Sequence, residues 1–133
     1  MIVADTNIIA YLYLTGERSA QAESAFRKDP DWTAPVLWRS EFRNVLAYYI
    51  RKSILTVEDV YQVMESAARQ MRGNEYEVPS LKVLSLADSS TCSAYGCEFV
   101  ALAQELNATL VTVDKQILEQ FPGIAVSLDQ FVQ

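Results

Sequence analysis

The chain has 133 residues, 50% of them hydrophobic and 21% charged, so we expect one globular domain over residues 1–133 and not a disordered or low-complexity chain. Its net charge of −6 argues against nucleic-acid binding through an overall positive field, although carboxylates that hold cations remain compatible with a nucleic-acid substrate. The absence of histidine excludes Ser-His-Asp and Cys-His triads, HExxH zinc sites and acid–base chemistry on an imidazole.

The N-terminal half of the chain alternates short apolar runs with segments of helical spacing. The first apolar run leads directly into Asp5, and Asp29 with Pro30 ends the first long helix. The predicted order is a strand at 2–4, a helical turn from Ile8, a helix at 19–28, a strand at 32–34 and an amphipathic helix at 36–52.

Capping residues and β-branched runs divide the C-terminal half. Thr56 and Asp59 resemble a capping box before a helix whose apolar stripe continues to Met71, and Gly73 ends it. The elements predicted next are a strand at 76–78, a helix at 80–87 capped by Ser80, a helix from about Tyr95 to Leu106 stopped by Asn107, a strand at 109–113, a helix at 115–120 and a strand at 124–128. Alternating strands and helices imply an α/β fold with a mainly parallel sheet covered on both faces.

Two aspartates directly follow predicted strands. Asp5 comes after the strand at 2–4, and Asp114 comes after the strand at 109–113. In open parallel sheets, functional sites form beyond the carboxyl ends of the strands. Each aspartate alone is more typical of a helix N-cap, and the equivalent position of the two is what favours a site.

Glu41 is a third candidate, because it lies at the edge of the apolar stripe of the helix at 36–52 and should face partly inward. A partly buried glutamate needs a partner, which is either Arg39 or Arg43 in a salt bridge, or a cation shared with other acids. Together with Asp5 and Asp114 it would form a hard oxygen site for Mg²⁺ or Mn²⁺.

Three stretches of the sequence resemble the PIN domain, and in particular the VapC-type toxins of bacterial toxin–antitoxin pairs. They are MIVADTNIIAYLY, PVLWRSEFRNVLAYYI and SAYGCEFVALAQELNATLVTVDKQIL, and the resemblance covers nearly the whole chain. It implies a PIN-like α/β/α sandwich with a central, mainly parallel sheet. It also implies an endoribonuclease that depends on Mg²⁺ or Mn²⁺ and leaves 5′-phosphate and 3′-hydroxyl ends.

The resemblance assigns roles by position. Asp5 and Asp114 would be catalytic metal-binding acids, and Glu41 would be a further ligand or would orient a water on the metal. Asn7 would hydrogen-bond to Asp5 and orient it, and Thr112 would supply a supporting hydroxyl. A metal that activates water makes a histidine unnecessary.

One position departs from the family pattern. Gly96 stands where the family usually has an aspartate, so metal affinity and turnover are expected to be lower. Glu98 is two residues further along the predicted helix, about 200° around its axis, and is expected to be a surface or salt-bridging residue and not a replacement ligand. Gly96 fits either an inactivating change or a natural chain of weakened activity.

The resemblance also implies three partners, namely an RNA substrate, a small antitoxin protein and a second copy of the chain in a homodimer. Arg39 and Arg43 are candidate RNA-binding residues, because phosphates beside an acidic pocket need cations. Each arginine taken alone is more typical of a solvated charge or an ion pair.

The remaining sequence features concern the compartment. Cys92 and Cys97 are too few for a disulfide framework or a zinc site, which favours a reducing, cytoplasmic location. The N-terminal apolar run lacks a preceding basic region and contains Asp5, so neither a signal peptide nor a membrane span is expected.

Two other functions compete with an active nuclease. A degenerate PIN domain would bind antitoxin or RNA without cleaving it and would have little metal affinity. An unrelated phosphotransfer domain, of receiver or haloacid-dehalogenase type, also places an aspartate after its first strand, but Asp5-Thr6-Asn7 lacks the second aspartate of a DxD motif. No G-x-G-x-x-G or G-x-x-x-x-G-K-[ST] loop is present, which excludes those nucleotide-binding sites.

Overall fold

The structure, a computed structural model, describes residues 1–133 and contains one five-stranded sheet. The strands are β1 (Ile2–Ala4), β2 (Trp32–Pro35), β3 (Glu75–Tyr76), β4 (Thr109–Thr112) and β5 (Ala125–Ser127). The helices are α1 (Thr6–Tyr13), α2 (Ser19–Lys28), α3 (Trp38–Arg51), α4 (Val57–Met71), α5 (Ser80–Asp88), α6 (Ala94–Leu106), α7 (Lys115–Gln120) and α8 (Leu128–Val132).

The order of strands in the sheet is β3-β2-β1-β4-β5, and every neighbouring pair is parallel. The prediction of an α/β fold is confirmed, and the sheet is parallel throughout. From β1 the chain builds one side of the sheet through β2 and β3, and then the other side through β4 and β5. The order therefore reverses between β1 and β4, and the crevice beyond their carboxyl ends is where open α/β sheets bind ligands.

The central strands are covered on both faces. Successive residues of a strand point to opposite sides, and every residue of β1 and β2 is buried. The helix α6 packs on β1, β2 and β4, and its residues from Phe99 to Ala103 are all buried. The middle of α6 therefore lies in the core against the sheet, whereas Tyr95, Gln104 and Glu105 near its ends are exposed.

Several helix ends follow the predicted capping signals. The capping box before α4 is confirmed, because the Thr56 hydroxyl accepts a hydrogen bond from the Asp59 N–H and the Asp59 carboxylate accepts one from the Thr56 N–H, both at 3.1 Å. Asn107 ends α6 in the left-handed conformation, with φ at 49°. The predicted cap at Ser80 is wrong, because Ser80 is already helical and Pro79 precedes α5.

The C-terminal segment also differs from the prediction. The sequence predicts a strand over 124–128, whereas β5 ends at Ser127 and α8 begins at the next residue. Ser127 and Gln130 form a capping box, in which the Ser127 hydroxyl accepts from the Gln130 N–H at 3.1 Å. The new helix packs against α2 and covers β4 and β5.

Cys92 and Cys97 are free, buried thiols. Cys92 directly precedes the N-cap of α6, and Cys97 lies in the first turn and a half of that helix. Apolar side chains at these two positions commonly pack together at a helix start, and here the two cysteines serve that packing. None of the helices combines the length and the apolar character that a bilayer span requires.

Candidate active site

Asp5 lies at the carboxyl end of β1 and begins α1 as its N-cap. Its Oδ1 accepts a hydrogen bond from the Thr6 N–H at 2.8 Å, and its Oδ2 accepts one from the Thr112 hydroxyl at 2.5 Å. The Asp5 N–H donates to the carbonyl of Val111 at 3.1 Å. The carboxylate is therefore held between the two central strands.

Asp114 lies just beyond β4 and begins α7 as its N-cap. Its Oδ1 accepts from the N–H groups of Gln116 and Ile117 at 2.9 and 3.2 Å, and its own N–H donates to the Thr112 hydroxyl at 3.0 Å. Thr112 thus contacts both aspartates and joins the two strand ends. Each aspartate caps a helix, and their shared hydroxyl also brings them to one place.

Glu41 lies in the first turn of α3 and is half-buried. Its Oε1 accepts a hydrogen bond from the Thr6 hydroxyl at 2.7 Å. The alternative of a salt bridge from Glu41 to Arg39 or Arg43 is wrong, because neither arginine pairs with it. Thr6, which is 4% exposed, therefore connects the carboxylate of Glu41 to the strand end that carries Asp5.

The two arginines next to Glu41 in sequence have other contacts. Arg39 forms two hydrogen bonds with the carboxylate of Glu75, at 2.5 and 2.7 Å, and so fastens α3 to β3. Arg43 is exposed and donates to the Ser40 hydroxyl at 3.2 Å. This pairing does not support the expectation that Arg39 binds RNA, because its guanidinium is already paired with Glu75 and not directed toward the three candidate acids.

The three carboxylates line one cleft of about 340 Å³. Its wall also includes polar and aromatic residues from α1, α3 and the start of α6, namely Thr6, Asn7, Asn44, Ser93, Tyr95 and Phe99. No lysine or arginine lines the cleft, and none of the three acids takes part in an ion pair. The cleft is therefore anionic and lacks an internal counter-charge.

The electrostatics of Asp5 reflect this lack of compensation. Burial raises the pKa of its carboxyl from the ordinary value to about 6, although the hydrogen bonds from Thr112 and Thr6 act in the opposite direction. The charges of Glu41 and Asp114 raise it further. A buried carboxylate beside two like charges is stabilised in its ionised form by a cation.

Gly96 lines the same cleft, in the first turn of α6. A Cβ atom built on it would lie 3.3 Å from the Cδ1 of Ile117 and 3.5 Å from the Ser93 hydroxyl, and both neighbours are side-chain ends. A small shift of Ile117 therefore accommodates a side chain at this position. The side chain of an aspartate at position 96 would start from the lining of the same cleft as Asp5, Glu41 and Asp114.

Glu98 differs from its prediction in part. It is half-buried, does not line the cleft and makes no ion pair, so the expected salt bridge is absent. Burial raises the pKa of its carboxyl, and the charge of Glu41 raises it further. Glu98 thus adds to the negative potential near Glu41 from outside the cleft.

The donor set fits a hard divalent cation in its chemistry, because carboxylate and hydroxyl oxygens are the ligands that Mg²⁺ and Mn²⁺ prefer. In the present arrangement of side chains, however, no three Asp, Glu, Cys or His residues lie close enough to hold a metal ion. Asp5 and Glu41 are each turned to a threonine hydroxyl, and Gly96 contributes no ligand. The cleft therefore offers the right donors without a closed coordination shell.

Thr112 and Asn7 differ in whether their contacts match the roles assigned to them. Thr112 makes the contacts expected of a supporting hydroxyl. Asn7 lines the cleft but makes no hydrogen bond to Asp5, and the Thr6 N–H and the Thr112 hydroxyl hold that carboxylate instead. Sequence reasoning missed Thr6, although its place between Asp5 and Asn7 directly after a buried strand was a usable signal.

Comparison with known proteins supports the same fold. The family model described as "PIN domain" matches residues 2–123. A curated relative, "Ribonuclease VapC3" of Pyrobaculum aerophilum, is 28% identical over 126 residues, which cover 92% of this chain and 96% of the relative.

Two solved structures have similar folds. The crystal structure of PAE2754 from Pyrobaculum aerophilum superimposes with a TM-score of 0.77 at 17% identity, over 98% of this chain and 92% of that one. A toxin-antitoxin complex from Klebsiella pneumoniae contains a chain with a TM-score of 0.72 at 18% identity, over 96% of this chain and 98% of that one.

Proposed function

The chain belongs to the PIN domain family, and on that premise we propose that it is a metal-dependent endoribonuclease, the toxin of a toxin–antitoxin pair. A relative named as a ribonuclease, similar along almost the whole chain, supports the activity. The observation that carries the proposal is the convergence of Asp5, Glu41 and Asp114 on one cleft that no basic residue lines.

The proposed cofactor is Mg²⁺ or Mn²⁺, which Asp5, Glu41 and Asp114 would hold once their side chains turn toward one another from their present positions. When bound, such an ion supplies Lewis-acid stabilisation of phosphoryl charge and activates water for hydrolysis. Thr112 positions Asp5 and Asp114 through its hydroxyl, and Thr6 positions Glu41. These contacts hold the three carboxylates at the end of the sheet, where an RNA phosphodiester can reach them.

Gly96 limits the activity of this chain in the proposal. Gly96 lines the cleft but has no side chain that could bind a metal ion, so we expect weak metal binding and slow cleavage. The same observation favours a second candidate function, a PIN domain that binds antitoxin or RNA without cleaving it. The two functions differ in whether an acid at position 96 creates metal-dependent cleavage.

The proposed partners are RNA, a small antitoxin protein and a second copy of the chain, in a cytoplasmic setting. A structural neighbour described as a toxin-antitoxin complex supports the antitoxin. Leu81 and Leu84 of α5 are 86% and 60% exposed, and an apolar surface of this kind supports a protein interface.

Cleavage of single-stranded RNA in Mn²⁺ tests the proposed function. The chain is compared with Gly96→Asp, with Gly96→Asp combined with Asp5→Ala, and with Gly123→Asp as a matched control on an exposed loop. We expect Gly96→Asp to gain cleavage that chelation or Asp5→Ala abolishes, while Gly123→Asp behaves like the parent. Cleavage by none of these chains would leave the non-cleaving binding domain as the better function.

A further inference from the structure

A second cavity adjoins the carboxylate cleft, and Asn7 and Val45 line both. This second cavity, called the side pocket below, has a volume of about 270 Å³ and lies between α1, the start of α2 and α3. Tyr11, Tyr49 and Arg18 are among its lining residues. The two cavities are therefore adjacent, and a single-stranded polymer bound across the cleft would also lie beside the side pocket.

The side pocket differs from the cleft in charge. Arg18 is its one basic residue and Glu17 its one acidic residue, so their formal charges cancel. The cleft, by contrast, is lined by three carboxylates and no basic side chain. Of the two adjacent cavities, only the side pocket therefore offers a cationic group to a phosphate.

The guanidinium of Arg18 has only long polar contacts within the protein. It lies 3.9 Å from the Asp129 carboxylate and 3.5 Å from the Gln21 side-chain oxygen, both long contacts, and the Arg18 side chain is 42% exposed. An exposed ion pair at that distance contributes little free energy. Arg18 also lies 6.0 Å from the centroid of the Tyr11 ring, so a cation and an aromatic face are adjacent.

The loop that carries Arg18 is already ordered. The Ser19 hydroxyl accepts a hydrogen bond from the Gly16 N–H at 2.9 Å and donates one to the Leu14 carbonyl, also at 2.9 Å. Tyr49 is half-buried and its ring packs edge-on against Tyr48. The loop that carries Arg18 and the ring of Tyr49 are thus held in place before any ligand arrives, which lowers the entropy cost of binding.

We propose that the side pocket binds one nucleotide of single-stranded RNA, with its base against Tyr11 or Tyr49 and an adjoining phosphate on Arg18. Unpaired bases stack on aromatic side chains, and a nearby cation neutralises the backbone. The inference rests on the proposed function, since it makes the side pocket the place that positions RNA beside the carboxylates. Arg18 is then a positioning residue, and it makes no contact with the reacting phosphate.

Binding of a fluorescent single-stranded oligoribonucleotide, followed by anisotropy in chelator and in Ca²⁺, tests the phosphate contact. Arg18→Gln is compared with Arg27→Gln, which removes the same charge from an exposed site on α2. We expect Arg18→Gln to weaken binding about tenfold, and Arg27→Gln to leave it nearly unchanged. Equal affinities of the two variants, or no binding by the parent chain, would overturn the inference.

Photocrosslinking with RNA that contains 5-iodouridine tests the base contact. A base stacked on an aromatic ring crosslinks to it, and peptide mapping identifies the residue. We expect crosslinks at Tyr11 or Tyr49, and we expect Tyr11→Leu to weaken RNA binding roughly tenfold. Crosslinks confined to Tyr61, which is exposed on α4 and lines neither cavity, would contradict the assignment and leave the side pocket to a protein segment.

The two proposals fail in different ways. If RNA binds through Arg18 and no variant cleaves it, the proposal for the side pocket stands and the proposed nuclease activity is wrong. Metal-dependent cleavage that Arg18→Gln leaves unchanged in both KM and kcat would keep the nuclease and remove the side pocket. A lower kcat/KM in Arg18→Gln that comes from a higher KM at constant kcat is the result expected of a residue that positions RNA.

Discussion

Asp5 carries an electrostatic cost that can be measured without any substrate. Its folded pKa of about 6 lies above the ordinary value, so the folded state holds this proton more tightly than the unfolded state. The resulting stabilisation is present at low pH and is lost as the pH rises through about 6. Asp5→Asn removes the ionisation and should therefore stabilise the metal-free protein at neutral pH.

Denaturant unfolding in chelator checks this prediction. At about 1.4 kcal/mol per pKa unit, Asp5→Asn should exceed the parent by up to about 3 kcal/mol at neutral pH, and by much less below about pH 4. Glu23→Gln, an exposed acid on α2, serves as the control and should give no such pH-dependent difference. An Asp5→Asn variant that is as stable as the parent at every pH would contradict the raised pKa of Asp5.

Thr112 is the residue on which the alignment of the two aspartates depends. Its hydroxyl donates to Asp5 and accepts from the Asp114 N–H, and its side chain is fully buried. Thr112→Val keeps the shape and removes both hydrogen bonds, so we expect a loss of about 2 kcal/mol in the free energy of unfolding at neutral pH. Thr112→Ser should restore most of it, and equal losses in the two variants would contradict the role of the hydroxyl.

Residue identities predicted part of the site. Thr112 ends β4, and Asp5 and Asp114 lie within two residues of a strand end, so the order of the elements was enough to predict where these residues lie. The contact between Thr6 and Glu41 joins residues 35 positions apart, and a single sequence gives no information on such pairs. The alternative of an arginine partner for Glu41 is wrong because Arg39 pairs with Glu75 on a different element.

At the scale of elements, Glu75 holds the short strand β3 to α3. Its carboxylate accepts from Arg39 and from the Trp38 indole N–H, the latter at 2.7 Å, and these bonds lower the pKa of the Glu75 carboxyl. Glu75→Gln should cost about 1 kcal/mol at neutral pH, because it removes the charge from these hydrogen bonds.

The pH dependence of this variant has the opposite sign to that of Asp5→Asn. A lowered folded pKa gives stability that is present above the unfolded pKa and lost as the pH falls through the folded value. The difference between parent and Glu75→Gln should therefore vanish in acid, as measured by urea unfolding at several pH values. Glu77→Gln, an exposed neighbour, is the matched control and should behave like the parent throughout.

Elements with strong local signals were predictable, and those fixed by tertiary contacts were less so. The helix α4 has a capping box and a long apolar stripe, and both ends follow from the sequence. The helix α8 has only five residues and directly follows an apolar strand, so the sequence pattern predicts a continued strand there. Ser127 and Gln130 nevertheless form a capping box, which is a helix-start signal. Its formation depends on packing against α2, which the sequence does not reveal.

At the scale of the whole molecule, the proposed homodimer is the point most open to direct measurement. Leu81 and Leu84 leave apolar surface exposed on α5, and burial against a second copy would remove it from water. We expect the chain to sediment as a dimer and Leu81→Glu combined with Leu84→Glu to sediment as a monomer with unchanged circular dichroism. A monomeric parent chain would contradict the proposed dimer, and a dimeric variant would place the interface elsewhere.

In the proposed function, the carboxylate cleft is a divalent-metal site that lacks one ligand at Gly96. Calorimetric titration of Mn²⁺ into the parent, Gly96→Asp, Gly123→Asp and Gly96→Asp combined with Asp5→Asn tests it most directly. We expect weak binding by the parent and by Gly123→Asp, affinity at least about tenfold higher in Gly96→Asp, and loss of that gain when Asp5 is replaced. Equal affinities in all four chains would contradict the claim.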